Sequence, residues 1–316
     1  MTCTRCQHQT CKKFGYFGKR RIQRWRCTSC KSTFCQPHER LTRDTMLSNP
    51  DAATRAIQCL LEGCSIRSTE RLTGLNRNTI MRLLVLAGER SHGLMDQRMR
   101  DLPCRRLQCD EIWTFVAKKA KHVRKEDPAE FGDQWVFVAM DADTKLIPSF
   151  LVGKRSSANT QTFMLDVRRR IGDHRVQLTT DAYIFYRKAV EASFAGDADF
   201  AQLTKLYGDY GQHGNERYSP GTITEVISKV RSGTPDPKHI STSFVERQNL
   251  TMRMHLHRLT RLTNAFSRKL ENLKAAVTLH FAYYNFCRVH SSLRVTPAME
   301  AGLTDHVWAI TELLAA

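Results

Sequence analysis

The chain has 316 residues, 41% of them hydrophobic, which is enough for two or three domains and at least one sizeable core. No apolar run approaches the ~18–20 residues that span a membrane, and the opening MTCTRCQHQT lacks the apolar stretch of a signal peptide, so membrane insertion and export are not expected. The net charge of +18 makes a polyanionic partner the first expectation.

Half of that excess lies in residues 1–45, where eleven lysines and arginines stand against Glu39 and Asp44. The same segment carries two knuckles, Cys3-x-x-Cys6 and Cys27-x-x-Cys30. Four thiolates at this spacing close a tetrahedral site of the kind zinc favours. Between them FGYFGKRRIQRWRC alternates aromatic and basic residues like a short strand pair. So small a segment buries little apolar area, and a structural zinc ion would supply its folding energy. Residues 1–45 are therefore expected to form a zinc ribbon, with Cys11 and Cys35 as spare thiols. The remaining cysteines, among them Cys59, Cys64, Cys109 and Cys287, are scattered through apolar segments. They fit a reducing cytosol better than a disulfide framework.

Residues 46–90 read as a helix-turn-helix DNA-binding domain. Asn49-Pro50 is a helix start, and Ala53, Ile57, Leu60 and Leu61 make its apolar face. Gly63 ends it, Ser65 caps the next helix, and Gly74 marks a tight turn. Asn76 then caps NRNTIMRLLVLAG, whose Ile80, Leu83 and Leu84 face inward. Asn76, Arg77, Asn78 and Arg82 stay outward, near the end that would enter a major groove. The bland alternative is a helical hairpin inside a larger core. Residues 91–105 read as a linker.

From residue 106 to 302 the pattern is α/β. LQCDEIWTFV is a strand, and QWVFVAMDADTKLIPSFLVG is two strands joined at DADTK. A helix from Asn159 to Ile171, the strand RVQLTTD and the helix AYIFYRKAVEASF follow. Residues 195–240, rich in Gly, Asp and Tyr, read as an insertion with small strands such as TITEVISKV. Two helices are expected over 243–286, and 303–316 is a C-terminal tail.

Three carboxylates stand where a two-metal phosphoryl-transfer site would need them. Asp110 interrupts an apolar strand, where an unpaired aspartate is costly without a ligand. Asp181 ends a strand just before a helix, the position at which α/β sheets place ligands. Glu246 lies in the first turn of the basic helix STSFVERQNLTMR. Each has a plainer reading. Asp110 could be a hydrogen-bonded strand residue with adjacent Glu111 the functional one, Asp181 a helix cap, and Ser243-x-x-Glu246 a capping box. Asp141 and Asp143 suit the DADTK turn and need nothing more.

The segments LQCDEIW, TTDAY, STSFVERQNLTMRMHLHRLTRLTNAFSRKLENLKAAV and HFAYYNFCRVHSSLRVTPAMEAGL resemble transposases of the insertion-sequence-one type. The likeness is most specific over 240–302 and extends back through the zinc ribbon and helix-turn-helix. It implies an RNase H-like catalytic core with a DDE triad on Asp110, Asp181 and Glu246, holding two Mg²⁺ ions that Mn²⁺ can replace. It departs from the shortest members in the 64 residues between Asp181 and Glu246.

After Glu246 the helix supports the same reading on its own chemistry. Arg247, Arg253, Arg258, Arg261, Arg268 and Lys269 are basic, with no acidic residue among them. Asn249, Arg253 and His257 recur at helical spacing from Glu246, so Arg253 suits a phosphate and Asn249 a nucleic-acid strand. A solvated basic face is the bland alternative. YNFCRVHSSLRVTP, with Tyr284, Asn285, Arg288, His290, Leu293 and Pro297, is expected to pack the last helix on the sheet.

The sequence thus predicts an insertion-sequence transposase that binds terminal inverted repeats and target DNA, acts as a homodimer or higher multimer, and works in the bacterial cytoplasm on the nucleoid. The rivals are a DNA-binding regulator with an inactive core, and a two-metal nuclease that cuts without joining. No Arg/His cluster surrounds a nucleophilic tyrosine, which disfavours a tyrosine recombinase.

Overall fold

A computed structural model describes residues 1–17, 22–35, 49–208, 223–260 and 264–315. The chain divides into two units, Met1–Pro50 and Asp51–Ala316. Residues 36–48, most of the presumed insertion's middle, and Arg261 lie outside the described residues.

In the first unit β1 (Cys11–Phe17), β2 (Ile22–Cys27) and β3 (Thr33–Cys35) form an antiparallel sheet in that order. The β1–β2 register slips between Lys13 and Tyr16, where Gly15 takes a φ of 71°. The aromatic residues of β1 lie on the surface. Phe14, Tyr16 and Phe17 are exposed, while Arg24 and Arg26 lie over the Phe14 ring at 5.7 and 5.2 Å. The buried apolar residues described in this unit are two cysteines, Cys3 and Cys27.

The second unit opens with three helices, α1 (Pro50–Leu61), α2 (Ile66–Thr73) and α3 (Arg77–Arg98). Their ends follow the local chemistry of the sequence. The Ser65 side chain accepts from the Ser68 amide at 3.0 Å, and Gly74 closes α2 at φ 70°. Asn76 Oδ1 accepts from the Asn78 amide at 2.9 Å, and Glu70 Oε1 accepts from the Arg77 amide at 3.0 Å. The expected linker over 91–105 is not what forms. Instead α3 continues to Arg98, with Ser91, Leu94 and Met95 buried. Gly88 within this helix is a contact glycine, since a Cβ there would sit 2.6 Å from Ala275 Cα on α7 (Leu270–Phe286). The helical segment is therefore built into the larger unit and is not a separate domain.

Behind the helices lies a six-stranded mixed sheet in the order β6-β5-β4-β7-β8-β9. Its strands are β4 (Arg106–Val116), β5 (Gly132–Asp141), β6 (Ser149–Gly153), β7 (Val176–Asp181), β8 (Ala198–Tyr207) and β9 (Ile223–Ser232). β4, β5 and β6 are an antiparallel meander. α4 (Ser157–Arg170) crosses back so that β7 lies parallel to β4 on its other side, and α5 (Ile184–Phe194) adds β8 parallel to β7. The segment 195–240, expected as an insertion, thus supplies two strands of the sheet, β8 and β9. Ala198, Phe200, Ala201, Gln202 and Leu203 are all buried, so β8 lacks the alternation that marks a one-sided strand.

α6 (Ser243–His255) and α7 complete the unit, with α8 (Pro297–Glu300) and α9 (Ile310–Ala315). Asn285 is fully buried on α7, and its amide both accepts from the Ile147 amide and donates to the Ile147 carbonyl, each at 3.0 Å. Tyr284 donates to the Lys145 carbonyl at 3.1 Å. These bonds clamp α7 onto the connection after β5. The last residues are likewise no tail. Trp308, Leu313 and Leu314 are buried, and the Arg90 guanidinium donates to the Leu314 carbonyl.

Candidate metal centres and nucleic-acid contacts

In the first unit the two knuckles converge. Cys3 Sγ lies 3.6 Å from Cys30 Sγ, and Cys6 Sγ lies 3.6 Å from Cys27 Sγ. All four sulfurs lie within 4.8 Å of one another. A tetrahedron with Zn–S bonds of about 2.3 Å has edges of about 3.8 Å, so the spacing fits zinc. The amides of Cys6 and Arg5 favour a thiolate at Cys3, whose thiol is held down at about 6. Cys11 and Cys35 are not part of the cluster.

The second centre is assembled by strand register. β4 and β7 pair Gln108 with Thr179 and Cys109 with Thr180. The next step brings Asp110 beside Asp181, the last residue of β7. One oxygen from each of Asp110, Glu111 and Asp181 lies within 4.8 Å of the others. Asp110 also accepts a hydrogen bond from Asn249 Nδ2 at 2.7 Å. Asp181 Oδ1 accepts from the Tyr183 amide at 3.0 Å. Glu111 is buried, and its Oε1 has no hydrogen-bond partner.

Electrostatics match that crowding. Burial pushes Asp110 up to about 6, with the charges of Asp181 and Glu246 acting in the same direction. Burial and the Asp181 charge push Glu111 up to about 8. Asp181 is raised as well, mainly by burial. Buried carboxylates whose proton affinity is raised by burial and by neighbouring acids form a site rich in negative charge. Hard divalent cations with a preference for oxygen ligands fit this donor set.

Glu246 stands apart from the tight cluster. Its carboxylate is paired with Lys205 and accepts from the Thr242 hydroxyl at 2.7 Å. The capping box suggested by Ser243 and Glu246 does not form, because Thr242 is the N-cap and the glutamate bonds side chains. The helix that carries Glu246 is nonetheless pinned to the cluster. Gln108 Oε1 on β4 accepts from the amides of Phe244 and Val245, at 2.9 and 3.2 Å. One turn past Glu246, Asn249 reaches Asp110. The charge of Glu246 is felt by both Asp110 and Asp181.

Sequence reasoning missed Arg155 and Gln108. A strand-end arginine in GKRSS and a polar residue two positions before an aspartate carry no distinguishing pattern. Glu111 was weighed only as a substitute for Asp110. The structure brings both acids together with Asp181.

The proposed nucleic-acid contacts divide. Asn76, Arg77, Asn78 and Arg82 are exposed at the start of α3. Arg247 is exposed, and Asn249 is buried on Asp110. Arg253 is half-buried on α6. His257 does not share the Glu246 face, because α6 ends at His255 and His257 starts a 3₁₀ turn. It lines instead a cleft of about 740 Å³, together with Arg77 and Arg67. Arg258 is structural. It is half-buried, donates to Ser267 Oγ and the Asn272 carbonyl at 2.9 and 3.0 Å, and is pushed down to about 10 by burial. His290 bonds Ser292 and is not among the residues of the acid cluster. Asp141 accepts from the Thr144 amide and hydroxyl, at 2.9 and 2.7 Å, as the turn requires.

No protein-family model matches the sequence, and no curated protein matches it. Among solved structures the chain is similar to the piggyBac transposase in its synaptic complex with hairpin DNA. That similarity has 9% identity and a TM-score of 0.42, over 83% of this chain and 68% of that one. It is also similar to the Mos1 strand transfer complex, at 15% identity and a TM-score of 0.23, over 52% of this chain and 59% of that one. The pre-cleavage Mos1 transpososome gives 13% identity and a TM-score of 0.21, over 52% and 60%. The chain thus spans about six tenths of the Mos1 chains, and likenesses this loose do not assign an activity. Among the described residues no helix is long and apolar enough to cross a membrane.

Proposed function

We propose that the chain is a DNA transposase of the insertion-sequence-one type, with an RNase H-like core and a DDE active site on Asp110, Asp181 and Glu246. The observation that carries this reading is the parallel β4–β7 register that sets Asp110 beside Asp181 at a strand end, with the Glu246 helix pinned beside them through Gln108 and Asn249. The sheet order supports it too, with a central strand flanked by an antiparallel meander on one side and parallel strands on the other.

In this reading Asp110 and Asp181 would hold two Mg²⁺ or Mn²⁺ ions, with Glu246 as a further ligand. When bound, such ions supply Lewis-acid activation of a water or a 3′-OH and neutralise charge on the phosphodiester. Asn249 fixes the rotamer of Asp110, and buried Glu111 adds the negative charge that favours cation entry. Arg247 and Arg253 meet the DNA backbone beside the acids. The zinc ribbon of Cys3, Cys6, Cys27 and Cys30, together with a helix-turn-helix over α2 and α3, binds the terminal inverted repeats through Asn76, Arg77, Asn78 and Arg82. Water opens the phosphodiester to leave a 3′-OH, which the same acids direct onto target DNA. Joining two ends calls for a homodimer or larger multimer, on nucleoid DNA in a bacterial cytoplasm.

The test uses short duplexes carrying the sequences that flank the gene, with Mg²⁺. The full chain is expected to cut and join them, and Asp181→Asn to lose both activities by about 10³-fold or more. Joining that survives in Asp181→Asn sinks the triad. Cutting without joining under every condition favours a nuclease.

A further inference from the structure

Arg155 lies in the short connection between β6 and α4, and its guanidinium meets two aromatic rings and two carboxylates. One ring face lies 3.9 Å away, at the Tyr183 centroid, and Trp135 lies at 4.7 Å. Its Nη2 is 2.9 Å from Glu111 Oε2 and 3.4 Å from Asp181 Oδ2, and its Nε donates to Glu111 Oε2 at 3.1 Å. Aromatic rings against the face of a planar cation leave its N–H edges free for carboxylates. Arg155 is therefore a fixed positive charge that bridges two of the three clustered acids.

A divalent cation entering the cluster meets this charge. It needs the same carboxylate oxygens, and a guanidinium 2.9 Å from one of them repels it. Glu111 Oε2 and Asp181 Oδ2 are the atoms in contention. Arg155 also has room to leave, because its side chain is 31% exposed and its backbone belongs to no helix or strand. The aromatic seat and the two carboxylates are then exchanged together, not one at a time.

We propose that Arg155 is a built-in counter-ion of the acid cluster, competing with divalent cations for Glu111 and Asp181 and so setting the concentration at which the site fills. This inference rests on the reading of the cluster as a divalent-cation site. It makes Arg155 a positioning residue that holds two carboxylates together while the site awaits metal. Its removal should tighten metal binding, which is the opposite of what a purely structural arginine predicts.

The experiment titrates Mn²⁺ into the zinc-loaded full chain, following free Mn²⁺ by electron paramagnetic resonance and tryptophan emission for Trp135. Wild type, Arg155→Gln, Arg155→Lys and Asp181→Asn are compared, each with its melting curve. Arg155→Gln is expected to bind Mn²⁺ on the order of tenfold more tightly than wild type. Arg155→Lys keeps the charge, loses the fork and the stacking, and should fall between them. Wild-type emission should shift on Mn²⁺ binding as the guanidinium leaves Trp135, and Arg155→Gln should show no such shift. If Mn²⁺ binds wild type, is lost in Asp181→Asn, and binds Arg155→Gln equally or more weakly, the inference alone is overturned. If Mn²⁺ binds neither wild type nor Arg155→Gln, or binds Asp181→Asn as well as wild type, the metal reading falls and takes the inference with it. Should Arg155→Gln fail to fold, Arg155→Lys decides, with tighter binding supporting the inference and weaker or unchanged binding overturning it.

Discussion

In the cysteine unit the ligands themselves are the buried apolar residues, whereas in the acid cluster the ligands are mounted on a sheet that has its own core. Cys3 and Cys27 are the hidden side chains of the first unit, and Phe14, Tyr16 and Phe17 remain outside. Around Asp110, by contrast, Cys109, Ile112, Val138 and Leu178 are fully buried without reference to any ion. Under the proposed reading a metal at the first centre would be a condition of folding, and a metal at the second would relieve a charge that folding has already concentrated. Metal binding would stabilise both units, but only the first would depend on it to fold.

The largest expected effect separates them directly. Removing zinc with a chelator, or making Cys27→Ser, should unfold residues 1–35, since structural zinc contributes on the order of 10 kcal/mol to such units. Amide hydrogen exchange should show β1–β3 losing all protection while β4, β5 and β7 keep theirs. Protection of β1–β3 that persists in the chelator would erase the contrast.

A smaller effect sharpens the second side. Gln108→Ala removes the acceptor of two α6 amides and should cost about 1–3 kcal/mol. It should loosen the Glu246 helix without touching an acid. Exchange at Phe244 and Val245 is the readout, and unchanged exchange there would mean that α6 is held by its packing alone.

The smallest effect concerns pH. In the folded metal-free chain Asp110 is raised from an ordinary 3.8 to about 6, and Glu111 from 4.5 to about 8. The folded state thus binds more protons than the unfolded state over that window. This contribution to stability is complete below about pH 4 and is lost as pH rises through 6 and then 8. The melting temperature of the larger unit should fall over that range, and saturating Mn²⁺ should flatten the fall. Asp110→Asn should remove part of it and melt no lower than wild type at pH 8. A flat profile for the metal-free wild type would mean that the acids do not crowd one another.

Much of this was legible in local chemistry. The knuckles of the cysteine unit, the Ser65 and Asn76 caps, the Gly74 turn and the Asp141 turn are short-range features, and each is written in a few adjacent residues. What was not legible depends on distant pairing. Nothing near Asp110 says that β4 will lie parallel to β7 in the register that meets Asp181, because α4 and two other strands intervene. Glu111 was hard to place because alternation along a strand sends neighbours to opposite faces. Yet β7 stops at Asp181, and both acids reach its end. The close approach of Ala275 to Gly88 is likewise a distant pairing that no neighbouring residue announces. His257 fell off the Glu246 face because the helix stops two residues earlier, and β8 was hidden by burial on both of its sides.

The continuity of α3 has a mechanical meaning. Its 22 residues run from Arg77 to Arg98, a rod of about 33 Å with exposed Asn78 at its start and buried Met95 in the far half that is locked against α7, and α7 is clamped in turn to the sheet by Asn285. Under the proposed reading, the tip that reads sequence and the acids that cut it belong to one rigid ruler. The number of base pairs between recognition and scission would then be dictated by the protein, and lengthening that spacer by half a helical turn would abolish cleavage while leaving binding intact.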